Sequence, residues 1–580
     1  MIVKPNVLIA NAGKLAFAVA CLLLVIRGIQ VRAEPMGEWP VPPSAKIDFS
    51  MRETSRERGL VFKHVPPEIP VKTPWKPYMQ TVGMSVAVAD VNDDGFMDLY
   101  LTNTSFGERN RLYVNDGKGH FTDKAQELGL ADVNEGRASL RSFFFDCDSD
   151  GRQEAVVMTS ACPAFFNRGA SGRFEPMGER VPAQACELAT AVATADLDAD
   201  GHLDLILGGL GLDFMRGKVM PGNIVESDDG SPLRVLLNDG QCRFREAPEL
   251  LGFDKNYFFH SIGVGNFTGE PKSRPDIWVA TDYSGDKVFL SESAGYRFET
   301  FPGTPSRSGM NSEVVYLDGE GPPSVFVTHV HRRGYITGGN TLWKWDGERF
   351  RNRAIDMGLH ECGWAWAGRA IDLDHDGLLD LAVANGFISG DPKRDYWYPF
   401  GVMHGTASPM MTDPSYWVDM NGRDLSGHQR DCLYVNRGDR FENVAAAVGF
   451  DEERQDGRAV AVIDADNDGR QSLVIGNQKG ELRFYDIEPK KPNSWVGFDL
   501  RSRKANREAL GAVVTVRAGG KSYRREKFTL NSYESQSDPR LHFGLGPVEK
   551  IDSVQIRWPS GAVQELGALP LNTYHAVVEE

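Results

Sequence analysis

An apolar run that stops in a knot of acids and resumes within ten residues occurs five times in this chain, and nothing else in the sequence restricts its fold as strongly. The first instance is SVAVADVNDDGFMDLYLTN, with Asp90, Asn92, Asp94 and Asp98 around Gly95. The pattern returns as Asp146, Asp148, Asp150 and Glu154, as Asp196, Asp198, Asp200 and Asp204, and as Asp372, Asp374, Asp376 and Asp380. The last copy holds Asp464, Asp466 and Asp468 but has Ser472 at the ninth position. Two further stretches, IGVGNFTGEPKSRPDIWVA and VVYLDGEGPPSVFVT, keep the apolar runs and lose the acids. Seven units therefore begin near residues 90, 146, 196, 266, 318, 372 and 464. Recurrence at this length indicates an array or a propeller.

Each unit carries a second phrase downstream, such as RLYVNDGKGHFTDKAQELGL or CLYVNRGDRFENVAAAVGF, which reads as two strands around a tight Asn/Asp/Gly turn. Four strands per unit, A and B around the acidic loop and then C and D, predict an all-β, seven-bladed β-propeller over residues 46–488. The seventh unit lacks a fourth strand. KIDFSMRETSRERGLVF, near the N-terminus, resembles a D phrase and is expected to close the ring there. After the linker EPKKPNS, alternating runs over 493–580 predict a separate, small β-sandwich-like domain.

Oxygen side chains at positions 1, 3, 5 and 9 with glycine at 6 suit Ca²⁺, with the position-7 carbonyl as a further ligand, so four or five calcium sites are expected. An EF-hand is excluded, because the flanks read as strands and position 12 is Leu101 in the first loop and Val383 in the fourth. The five loops hold 18 acids at ligand positions. Residues 1–33 read as a signal peptide, with Lys4 and Lys14 before LAFAVACLLLVI and cleavage after Ala33, followed by a linker over 34–45. Removing the four cations of the leader takes the net charge from −16 to −20, and five bound Ca²⁺ would halve it. That acidity argues against nucleic acid as a partner. No apolar run outside the leader reaches transmembrane length, so a secreted or periplasmic protein without a membrane span is expected. The mature chain keeps six cysteines, and their places in the repeat suggest Cys162–Cys186 and Cys362–Cys432 as disulfides.

The acidic units resemble the FG-GAP/VCBS repeats of integrin-type propellers. ANREALGAVVTVRAGG, NSYESQSDPRLHFGLG and VQIRWPSGAVQEL resemble the ASPIC/UnbV domain, with Ser535 and Gln536 as its Ser-x-Gln element. The combination is similar to the bacterial type of the cartilage acidic protein family. The resemblance implies an exported calcium-binding propeller with a small β domain, and no settled activity.

No nucleophile elbow, phosphate loop or His-Glu-x-x-His motif is present. With the acidic A–B loops on one face, the D–A connections and B–C loops fall on the other. His260, His329, His331, His360, His404 and His428 map there, joined by Glu361, Arg332, Arg333, Trp364, Trp366, Tyr396, Trp397 and Tyr398. The expected functional site is this face, centred on His329, His331 and His360, where the histidines could also hold a transition metal. Catalytic candidates are His329, His331, His360 and Glu361. Two functions stay open: a binder of an extracytoplasmic protein, glycan or small molecule, and an enzyme of secondary metabolism or glycan breakdown.

Overall fold

The structure is a computed structural model that describes Val19 and residues 46–580, apart from 69–73, 75, 187–188, 212–225, 229, 271, 294, 302–305, 318, 320, 337, 405–415, 529 and 531. The leader and linker expected over 1–45 fall outside the described residues, Val19 excepted. No helix among the described residues is long and apolar enough to cross a membrane.

Seven antiparallel sheets in A–B–C–D order follow one another along the chain. Their inner A strands are Val86–Ala89, Ser139–Phe145, Ala189–Ala195, Asn256–Gly265, Asn311–Val315, Ala365–Ile371 and Asp456–Ile463. Successive sheets touch along these strands, with strand B of the second sheet bridging to the third, and the seventh A strand returns to the first. The result is a closed β-propeller. Phe49–Glu53 supplies the outer strand of blade seven, pairing with Arg483–Pro489 from Phe49↔Pro489 to Glu53↔Tyr485.

The A strands are buried almost throughout, and the period of two turns their alternate side chains towards the two neighbouring blades. Val86 and Val88 pack towards Ala459, Ala461 and Val474 of blade seven. Ala87 and Ala89 point the other way, onto Phe144, Ala155 and Val157 of blade two. Both faces of a blade are thus buried, and a polar residue on either would sit between sheets.

Residues beyond 493 form two sheets around one core of Val496, Phe498, Val514, Val516, Ile556 and Trp558. Ser494–Arg501 lies between Leu541–Gly546 and Tyr574–Val578, and Val513–Ala518 lies between Lys521–Glu526 and Ser553–Arg557. This domain sits on the A–B loop face. Asn493 Nδ2 donates to the Asp374 carbonyl at 2.8 Å, and the Tyr574 hydroxyl donates to Asp464 Oδ2 at 2.8 Å.

One segment of the domain enters the centre of the ring. Ser535–Gln536 pairs in parallel with Val86–Ala87, making the first sheet five-stranded. Gln536 accepts the Phe144 N–H at 2.8 Å and donates to the Phe144 carbonyl at 2.7 Å. The Ser535 and Ser537 hydroxyls accept the N–H groups of Val460 and Val462, each at 3.0 Å. The Tyr533 N–H donates to Asn311 Oδ1, and Ser532 Oγ to the Gly368 carbonyl. The segment thereby bonds to the A strands of blades one, two, five, six and seven and plugs the channel.

Two expectations change. Blade four has a fifth short strand, Ser231–Pro232, beside its A strand. The B–C insertion of blade six reads in the sequence as structureless, yet Asp391–Asp395 pairs with Arg423–Asp424 and Trp397–His404 is helical. Its aromatics fold it down: Trp397 and Phe400 pack against Trp364. Three disulfides are formed. Cys162–Cys186 and Cys362–Cys432 have Cα separations of 4.1 and 6.2 Å, and Cys147–Cys242, which the repeat pattern did not suggest, has 5.1 Å.

Candidate functional site

The five acidic loops share one backbone turn. Position 4 (Asp93, Ser149, Ala199, His375, Asn467) and the glycine at position 6 (Gly95, Gly151, Gly201, Gly377, Gly469) all have left-handed φ, between 57° and 95°. The first carboxylate accepts the N–H of that glycine in every loop, at 2.8–3.0 Å. The ninth residue ties the loop to its blade. One oxygen of Asp98, Asp204 and Asp380 accepts the N–H of position 2, and the other accepts the N–H of Asn115, Asn238 or Asn436 on strand C.

Carboxylate oxygens converge within 4.8 Å in four loops: Asp146/Asp148/Glu154, Asp196/Asp198/Asp204, Asp372/Asp374/Asp376 and Asp464/Asp466/Asp468. Asp146 Oδ1, Glu154 Oε1, Asp372 Oδ1 and Asp464 Oδ1 are buried and have no hydrogen-bond partner. Burial, aided by neighbouring acids, pushes the carboxyls up, to about 7 for Asp146 and about 8 for Glu154, Asp204 and Asp372. Unpartnered oxygens converging on one point fit a hard divalent cation, which would hold these groups ionised. The first loop has an amide at position 3: Asn92 Nδ2 donates to Asp94 Oδ2 at 2.8 Å, and the Asp94 N–H donates to Asp90 Oδ1 as that of Asp200 does to Asp196 Oδ1.

Blade four, where the acids are lost, carries its own cation. Asp276 opens strand B as the ninth-position acids do, two residues later in a longer loop, and accepts the N–H groups of Phe267 and Ser291 as they accept theirs. Lys272 Nζ lies 2.5 Å from Asp276 Oδ1, with both side chains largely buried. A lysine four residues before the acid was the available sequence signal.

On the opposite face the structure brings part of the histidine set together. The His331 and His360 ring centroids are 5.5 Å apart, and His331 Nε2 is 3.7 Å from Glu361 Oε1. Glu361 is also paired with Arg333 at 3.0 Å. His329 is fully buried, 3.4 Å from Thr341 Oγ1, and burial drops its pKa to about 3. Among the described residues, the groups of three ligand atoms within 4.8 Å lie elsewhere, so the geometry here is not that of a preformed metal site. Tyr396 and Trp397 are not available to a ligand as the sequence suggested. The Tyr396 hydroxyl donates to the Val418 carbonyl, Trp397 Nε1 donates to Ser426 Oγ, and Arg332 lies over the Trp397 ring. Tyr398 is exposed, and His428 bonds to the Gly390 carbonyl within the insertion. The His404 side chain lies outside the described ones.

Beside this group, over the plugged end of the channel, is a cavity of about 150 Å³. Its walls include Trp364, Trp366, His260, Phe258, Tyr78 and, from the plug, Tyr533. Trp364 stacks on Phe387 with centroids 3.9 Å apart, and Trp366 and His260 pack on Tyr533 at 5.4 and 5.9 Å. Burial holds His260 neutral, with a pKa near 3. His260 Nδ1 and Trp364 Nε1 are buried without partners, and the buried Tyr78 hydroxyl lies by that of Tyr396. His260, Trp364 and Trp366 were legible as site candidates, while Tyr78 comes from a segment that no motif marks and Tyr533 from the Ser-x-Gln phrase of the C-terminal domain, which gives no sign of reaching this face.

Comparison with known proteins follows the same division. Residues 90–157 match the FG-GAP-like repeat model, and residues 502–580 match the ASPIC and UnbV model. Human cartilage acidic protein 1 is 44% identical over 315 residues, covering 52% of this chain and 40% of the relative. The mouse protein of that name is 24% identical over 342 residues, covering 55% and 46%. The matched region thus spans less than half the length of these relatives. Among solved structures, virginiamycin B lyase from Staphylococcus aureus aligns with a TM-score of 0.39 at 10% identity, covering 76% of this chain and 99% of that one. The propeller assignment rests on sheet order and ring closure, and the chain is one that joins FG-GAP-like repeats to an ASPIC/UnbV domain, similar to cartilage acidic protein 1.

Proposed function

We propose that this is an exported propeller whose acidic loops are braced by calcium and whose opposite face binds an extracytoplasmic ligand. The observation that carries the reading is the aromatic cavity over the channel, with two buried polar atoms, His260 Nδ1 and Trp364 Nε1, that no protein group satisfies. A concave, mostly apolar site with a few convergent polar groups is what small-molecule recognition requires. Calcium is supported by the four buried, unpartnered carboxylate oxygens in the acidic loops. Export is supported by the three disulfides, which persist in oxidising compartments.

The test is a thermal-shift screen of calcium-loaded protein against glycan and metabolite panels, repeated on Trp366→Ala. Ligands that stabilise the parent and lose their shift in the variant support the reading. Ligands whose shifts survive Trp366→Ala overturn the placement. EDTA should lower the melting temperature by several degrees in both proteins, because a cation bound only to the native state stabilises it by mass action.

A further inference from the structure

Among the described residues, the cavity wall contains one acid. Asp282 ends strand B of blade four (Asp276–Asp282) and lines the cavity with Tyr283. Its carboxylate is held by the backbone N–H of Tyr283 at 3.0 Å and by the Tyr283 side chain. Among the described residues, no cation pairs with it. Nearby basic groups are committed elsewhere. Arg307 faces Glu226 at 3.4 Å. Arg458 lies behind Trp366, 4.3 Å from the ring centroid, and donates to the carbonyls of Gly386, Gly457 and Phe387. His260, across the cavity, is neutral. Burial pushes the Asp282 carboxyl up to about 7, with the Tyr283 bonds opposing the shift. A carboxylate without a counter-charge in such surroundings is costly unless a cation reaches it.

The rest of the wall suits an organic cation rather than a metal ion. Phe258, Tyr283, Trp364 and Trp366 line a space of about 150 Å³. Aromatic rings attract a soft, weakly hydrated ammonium through their quadrupoles and offer no ligand oxygen to a metal. Asp282, Tyr283, Tyr78 and Ile336 are only half-buried, so these residues also form the mouth. The unpartnered Trp364 indole N–H and His260 Nδ1 are available to a polar group carried by the same ligand.

We infer that this cavity is a cage for a small organic cation, a quaternary or alkylated ammonium of about choline size, with Asp282 as its counter-charge and the ring of aromatic residues as its walls. The inference rests on the binding reading above and names the chemistry of the ligand. Calorimetric titration of the calcium-loaded protein with choline and with 3,3-dimethylbutan-1-ol, its uncharged isostere, tests it. Choline is expected to bind at least tenfold more tightly than the alcohol. Asp282→Asn should weaken choline at least tenfold and leave the alcohol unchanged, and Trp366→Leu should weaken both. Equal binding of the two probes, or an Asp282→Asn variant that keeps full choline affinity, overturns the cation assignment while leaving a ligand site in place. Failure of choline, tetramethylammonium and trimethyllysine all to bind overturns it as well, whereas the panel screen decides the broader reading independently. Should Asp282→Asn fail to fold, as judged by its melting temperature in calcium, Asp282→Glu and the isostere comparison on the parent carry the same decision.

Discussion

His64 is held in one protonation state by its two neighbours. Its Nδ1 accepts the Lys479 N–H at 3.3 Å, so Nε2 carries the proton and donates to Thr104 Oγ1 at 2.8 Å. Burial, with Arg458 and Lys479 adding to it, drops the pKa to about 3. A depressed folded-state value means that the stabilisation is complete above pH 6.5 and is lost as pH falls towards 3. The urea-stability difference between the parent and His64→Gln should therefore shrink by roughly 2 kcal/mol between pH 7 and pH 5. A difference that stays constant over that range would refute the linkage. At the same scale, Asp374→Ala should reduce the calcium-induced rise in melting temperature more than Asp466→Ala. Asp374 belongs to a loop completed by Asp380, whereas Ser472 leaves the Asp466 loop one carboxylate short. Equal losses in the two variants would show that the ninth residue contributes nothing to binding.

A buried carboxylate at the A–B corner of a blade is costly unless a positive charge offsets it. In the proposed reading the acidic loops gather carboxylates for an external ion, whereas blade four presents Lys272 to Asp276. Burial raises the Asp276 carboxyl and Lys272 lowers it. Lys272→Met should cost about 3–5 kcal/mol in urea unfolding, the usual result of stranding a buried charge. Calcium should not rescue it, since Asn266 and Thr268 stand where the first acids would be. A loss under about 1 kcal/mol would place this pair with ordinary exposed ion pairs. Much of the blade plan was legible because period-two alternation and the loop turn are local, and the Phe49–Glu53 strand repeats a phrase found in other blades. Cys147–Cys242, the Tyr533 wall of the cavity and the Asp282 mouth were not, since each depends on which distant segments the ring brings together. The aromatic insertion of blade six misled for a related reason. Its rings read equally well as a ligand surface or as packing, and only tertiary contact decides between them.

At the scale of the molecule, ring and C-terminal domain are interlocked rather than tethered. Gln536 satisfies both backbone groups of Phe144 in a buried setting, and Ser535 and Ser537 satisfy two N–H groups of blade seven. Gln536→Leu should cost about 2–3 kcal/mol by leaving the Phe144 groups unpaired. The propeller and the C-terminal domain should melt in a single transition in calorimetry. Two separated transitions would contradict the interlock. The same geometry sets a clock. Blade one meets its partner strand only when Ser535 arrives, some 450 residues after Val86 by the numbering, and blade seven needs Phe49 held back for Arg483–Pro489. Such distant pairings make assembly slow, because loop closure precedes the contacts that reward it. A chain emerging N-terminus first would therefore carry an open ring, with unsatisfied strand edges, until the plug is delivered, and folding helpers would have the whole of that interval in which to act on it.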